Sequence, residues 1–278
     1  MSIIIFTILI FFGSLLAGFL GSLTGLGGGF VIIPMLTLLF GVDIRYAIGA
    51  SLVAVIATSS GAAAAYVKEG ITNIRLGMFL EIATTTGAVL GAYIAAYTPV
   101  NTIAIIFGGI LIFSAYLSLK KKSETILQTT KSKLSFTFKL NGTYPTPERE
   151  IGYKVTNVIG GFFTMVGAGL LSGLLGVGSG ALKVLAMDNI MRIPFKVSTT
   201  TSNFMIGVTA AASAGIYLYR GYIDPGICLP VTLGVLGGAL VGSKFLTNAK
   251  TSRLRQIFAF VIIAIALEML YNGFNKKF

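Results

Sequence analysis

Lys183 stands inside a short apolar run and Glu81 inside a long one. A charge in such a place is costly and marks a functional site by default. Lys183 could neutralise a bound anion, or it could be a lysine that snorkels to an aqueous edge. Asp188, further along the same segment, faces water or pairs with Lys183 or Arg192. Glu81 could carry a coupling proton if it is buried. Its plainer reading is a salt bridge to Arg75 or Lys68. Thr84, Thr85 and Thr86 follow it, and either line a path or bond to their own backbone. Glu268 lies near the end of the last apolar run and reads as interfacial.

The strongest local pattern is Gly25, Leu26, Gly27, Gly28, Gly29 and Phe30, followed by Pro34. It is echoed by Gly176, Val177, Gly178, Ser179 and Gly180, one helical turn before Lys183. Each copy sits between a long apolar segment and a short one. Glycine lets a backbone turn sharply and approach a ligand closely. A short helix starting there aims N–H groups and its positive dipole end into the gap. Two such ends brought together would hold an anion near the midplane of a bilayer. Tight packing through small residues is the competing explanation.

A second polar cluster is Thr199, Thr200, Thr201, Ser202 and Asn203, whose counterpart Ile48–Leu52 holds Ser51. Hydroxyl and amide donors suit sulfonate or sulfite oxygens. N-capping and interhelical hydrogen bonds would use the same residues. Arg45 and Lys196 occupy matching positions and are gating candidates that could draw anions to each entrance. Both also read as topological anchors.

These residues are set in a chain of 278 residues that is 55% hydrophobic and 11% charged. Soluble proteins carry about a quarter charged residues. The formal charge of +12 does not point to nucleic acid, because the basic residues lie in short connections between apolar runs and in one long loop. With no His and one Cys, zinc sites and the usual nucleophile–base pairs lose their residues. No cofactor, metal or catalytic residue is expected, and no Walker motif is present. No basic region precedes the first run, which argues against a cleaved signal peptide.

Ten apolar segments follow one another: 3–23, 29–40, 46–67, 75–97, 101–119, 153–175, 180–191, 197–219, 227–248 and 254–272. Segments 29–40 and 180–191 are too short to cross a core of about 30 Å and are expected to be half-helices or hairpin arms. The halves 1–119 and 153–278 flank a polar stretch, 120–152. There, Ser135 to Leu140 alternates polar and apolar ahead of Asn141-Gly142, which predicts a small β-hairpin.

The halves align without a gap at an offset of 151. Gly25, Gly27 and Gly29 fall on Gly176, Gly178 and Gly180. Ser51 falls on Ser202, Thr58 on Thr209, Tyr66 on Tyr217, and Gly87 on Gly238. If the short segments cross, each half makes five passes and the second copy is inverted; if they re-enter, each half makes four and the copies are parallel, and the charge bias chooses between the two. With 120–152 in the cytoplasm, five passes place Arg192, Lys196, Lys244, Lys250, Arg253 and Arg255 inside, and only Arg220, Lys276 and Lys277 outside. The expectation is an all-α integral membrane protein of two five-segment inverted repeats, with both termini outside.

The Gly25–Pro34 turn, the Ala50–Val55 run and the Tyr66 to Gly70 turn resemble the TauE/SafE family of sulfite and organosulfonate transporters. The resemblance covers both halves. The second copy departs from the first, with Ser179 in place of Gly28 and Leu185 in place of Pro34. Membership implies a multi-pass protein of the plasma membrane that moves a small sulfur-containing anion such as sulfite, thiosulfate or an organosulfonate. Its expected partners are that anion and lipid. Alternating access between the halves is the expected mechanism. A passive anion channel of the same fold is the alternative, and an enzyme is not expected.

Overall fold

The computed structural model describes residues 3–24, 28–68, 70–119, 133–145, 150–246 and 251–277. Each apolar segment forms a helix. The first half holds α1 (Ile3–Thr24), α2 (Gly29–Pro34), α3 (Ile44–Lys68), α4 (Ile74–Ala95) and α5 (Val100–Leu119). After a connecting region come α7 (Val158–Leu175), α8 (Gly180–Leu185), α9 (Phe195–Tyr219), α10 (Pro225–Leu246) and α11 (Thr251–Phe274). The short helices α2 and α8 each run on into a widened π turn, Met35–Leu39 and Ala186–Ile190. Pro34 does not cause the widening, because the second copy repeats it with Leu185 in that place.

The helices pair by the repeat. α1 packs on α10 and α4 on α7, while α3 packs on α9 and α5 on α11. Glycines make the first two pairings close. A Cβ on Gly87 would collide with the Val166 carbonyl, and one on its mate Gly238 with the Leu15 carbonyl. Gly169 and its mate Gly18 meet the carbonyls of Thr84 and Val235 in the same exchanged manner. α3 and α9 run antiparallel, with Gly49 against the Tyr222 carbonyl and Gly207 against Ser59. α5 and α11 are also antiparallel, since Gly108 meets Leu270 and Gly273 meets Asn101 and Ile105.

Two ends of the bundle follow from the connections. At one, Arg45 Nη2 donates to the Thr98 carbonyl at 3.1 Å, Tyr46 stands edge-on to Tyr222 at 5.6 Å, and Phe6 meets Phe40 at 5.7 Å. At the other, the Asn73 backbone N–H donates to Thr201 Oγ1 at 3.1 Å, and Thr156 donates to the Met191 carbonyl through both its N–H and its hydroxyl. The start of α7 and the end of the turn that follows α8 therefore share an end.

The connecting region corrects one expectation. The alternating run from Ser135 begins as a single helical turn, α6 (Lys133–Thr137), and not as a strand. Alternation would place Phe136, Phe138 and Leu140 on one buried face. Leu140 is buried, but Phe136 and Phe138 are 82% and 50% exposed. Asn141-Gly142 is not the hairpin turn: Gly142 opens β1 (Gly142–Pro145), which pairs antiparallel with β2 (Glu150–Tyr153). Asn141 instead accepts from the Val155 N–H at 2.8 Å. The hairpin is tied to the bundle by Asn73 Nδ2, which donates to the Leu140 carbonyl at 2.8 Å and to Tyr153 Oη at 2.7 Å. Burial pushes the Tyr153 phenol up to about 12, against the Asn73 bond, which favours the phenolate.

The outer surface is apolar along the helices. Phe12, Met78, Phe163, Leu240 and Phe260 are all more than half exposed. By length and composition of the described residues, α4 and α7 are each able to cross a membrane. Exposed apolar area on this scale marks a surface that meets something other than water.

Candidate functional site

A chain of hydrogen bonds crosses the interior between α4, α8 and α9. Lys183 is fully buried, and its ammonium donates to Thr209 Oγ1 at 2.5 Å. Thr209 in turn donates to Glu81 Oε1 at 2.6 Å, and Thr85 donates to the same oxygen at 3.1 Å. Two opposite charges from different halves are thus joined through one hydroxyl. A buried charge needs such a partner, because desolvation without one costs several kcal/mol. The pairing is incomplete, since Glu81 Oε2 is buried without a hydrogen-bond partner.

The sequence alternatives for both charges fall away. Lys183 does not snorkel, because none of it is exposed. Glu81 is turned into the bundle toward Thr209, not toward Arg75 or Lys68. Thr209 carries no signal in the sequence beyond its register with Thr58. The partner was missed because three helices must fold before it meets both charges. Thr84 donates to the Leu80 and Glu81 carbonyls of its own helix, while Thr86 does so to Ile82 and Ala83.

The second glycine turn lies next to this chain. Gly176, Gly178 and Ser179 all take positive φ, at 66°, 71° and 45°. The first two positions suit glycine; for serine the left-handed region is uncommon. Ser179 Oγ is buried without a hydrogen-bond partner, one turn before Lys183. Gly176 is held by Ser51, whose hydroxyl donates to its carbonyl at 2.8 Å. A Cβ on Gly29 would lie 2.6 Å from Ser51 Oγ and 3.3 Å from the Val177 Cα. The start of α2 therefore abuts the second turn. Gly28 is buried in a right-handed conformation. Gly25 and Gly27 lie outside the described residues.

The polar run on α9 is engaged with protein. Thr199 and Thr200 donate to carbonyls of their own helix, at Phe195 and at Lys196 and Val197. Thr201 accepts from Asn73, and Ser202 donates to the Gly180 carbonyl at 3.2 Å. Asn203 is half-buried beside them. Arg45 lies at one end of the bundle, while Lys196 is exposed in the first turn of α9, at the other.

An all-helical bundle with an apolar exterior and a buried, incompletely neutralised ion pair at its centre has the form of a membrane transport protein. The sequence profile of the family described as "Sulfite exporter TauE/SafE" matches residues 10–269, and the chain belongs to that family. Among its relatives, the probable membrane transporter protein YunE of Bacillus subtilis is 30% identical over 96% of this chain and 98% of its own length. The probable membrane transporter protein YdhB of the same organism is 27% identical over 93% and 96%. A probable membrane transporter protein of Methanocaldococcus jannaschii is 27% identical over 92% of each chain. No solved structure matches.

Proposed function

We propose that the chain is a secondary transporter of a small sulfur-containing anion, such as sulfite, thiosulfate or an organosulfonate, working by alternating access in the plasma membrane. The observation that carries this reading is Lys183, a fully buried cation linked to the Glu81 carboxylate through the Thr209 hydroxyl. The anion sits between Lys183 and the glycine turns, against Ser179, Ser51 and the Ser202 and Asn203 side of α9. The partnerless Ser179 hydroxyl supports that placement. Glu81 is the coupling group. An anion that draws on Lys183 weakens the lysine's hold on Glu81, and a proton taken up by Glu81 keeps the interior neutral.

Two five-segment inverted repeats form the moving parts. This is supported by the antiparallel runs of the repeat mates α3 with α9 and α5 with α11, and by the shared end of Thr156 and Met191. On this topology the loop 120–152 and Lys196 face the cytoplasm, and Arg45 faces outward. The test is sulfite flux into proteoliposomes of the purified protein. Saturable uptake that follows an imposed pH gradient is expected. Flux proportional to concentration, with single-channel currents, would favour a passive channel instead.

A further inference from the structure

Arg45 and Arg220 come from opposite halves and both line one cleft, closed too tightly in this state to admit water, together with Tyr217, Tyr222, Ala92 and Ala95. Neither guanidinium is paired with a carboxylate among the described residues. Arg45 donates to the Thr98 carbonyl and lies 5.8 Å over the Tyr222 ring. Arg220 lies 5.5 Å over Tyr93 and 5.2 Å over Tyr97, and it hydrogen-bonds to the Tyr97 side chain. The two nearby carboxylates are used by backbone: Asp43 accepts from the Arg45 N–H at 2.8 Å, and Asp224 from the Gly226 N–H at 2.7 Å. Arg45 Nε is buried with no hydrogen-bond partner.

A buried donor without an acceptor is costly and calls for an explanation. Arg45 Nε is such a donor, and the planar fork of guanidinium N–H groups is the geometry in which arginine grips an oxyanion. Tyr217 is buried and donates to the Gly173 and Leu174 carbonyls, at the end of α7 just before the Gly176 turn. On the topology proposed above, this end faces outward, where the usual bias disfavours Lys and Arg.

We propose that Arg45 and Arg220 form a vestibule site for a small oxyanion, separate from Lys183, where the substrate is captured before it reaches the glycine turns. The site rests on the transport reading for its role, but its binding is independent of it. Because the two arginines belong to different halves, a rocking motion changes their separation and releases the anion inward.

The test uses the full chain carrying Lys183→Gln, titrated with sulfite by calorimetry. Binding that survives this change and disappears when Arg45→Gln and Arg220→Gln are added supports the vestibule. Sulfite binding in Lys183→Gln that the arginine changes do not alter, or no binding there at all, overturns it. In the otherwise native protein the arginine pair change is expected to raise half-saturating sulfite about tenfold, the loss of one charge-assisted contact. Arg45→Lys with Arg220→Lys should restore part of that, and an unchanged half-saturation in the double Gln protein would contradict the proposal. Failure of wild-type transport would sink the transporter reading while leaving the calorimetric result to stand or fall alone.

Discussion

Thr209 is the residue on which the interior turns. Its hydroxyl accepts from Lys183 and donates to Glu81, so it cannot be replaced by an isostere without a hydroxyl. Thr209→Val is expected to leave both charges poorly matched and to raise half-saturating sulfite by about tenfold or more, measured by uptake into proteoliposomes. The repeat mate offers a control: among the described residues, Thr58 donates to the Ala54 and Val55 carbonyls of its own helix and to no side chain. Thr58→Val should change uptake little. Lys183 and Glu81 were legible in the sequence because a charge in an apolar run stands out. Thr209 was not, since a threonine in a helix is unremarkable until its neighbours are known.

At the scale of elements, helix contacts explain what the glycines do. Gly87 and Gly238 let α4 approach α7 and α10 approach α1 until side chain would strike backbone. Gly87→Ala and Gly238→Ala should each cost about 1–3 kcal/mol by overpacking, seen as similar drops in melting temperature. A large effect from one and none from the other would break the equivalence of the two interfaces. The register of glycines was readable as a repeat, and the structure adds which carbonyl each one meets. The hairpin was readable only in kind. Its strands lie at 142–145 and 150–153 because Asn73 and Asn141 fix the backbone from outside the local sequence. Tyr153 gives this docking a pH signature. Its phenol is raised from 10.0 to about 12, so the native state holds its proton more tightly than the unfolded chain. The stabilisation is complete below pH 10 and lost as pH rises toward 12. Tyr153→Phe should lessen the fall in melting temperature between pH 9 and pH 11. An identical fall in both proteins would mean that Tyr153 is not the group responsible.

For the whole molecule, the apolar exterior and the symmetric helix pairs could be anticipated from hydropathy and the constant offset. The helical segments follow the apolar runs to within a few residues. The chemistry is less symmetric than the scaffold: Ile32 stands opposite Lys183, and Thr58 opposite Thr209. The sequence shows this through Ser179 and Lys183, while the hydroxyls of Thr199, Thr200 and Ser202 donate to protein carbonyls. Among the described residues Lys183 is the one fully buried cation, and the proposed anion site depends on it. That dependence is tested most directly by sulfite uptake into proteoliposomes of Lys183→Gln beside wild type, with melting curves to show that both are folded. Saturable uptake by wild type and its loss in a folded Lys183→Gln protein are expected. Uptake by Lys183→Gln with wild-type half-saturation and rate would contradict it.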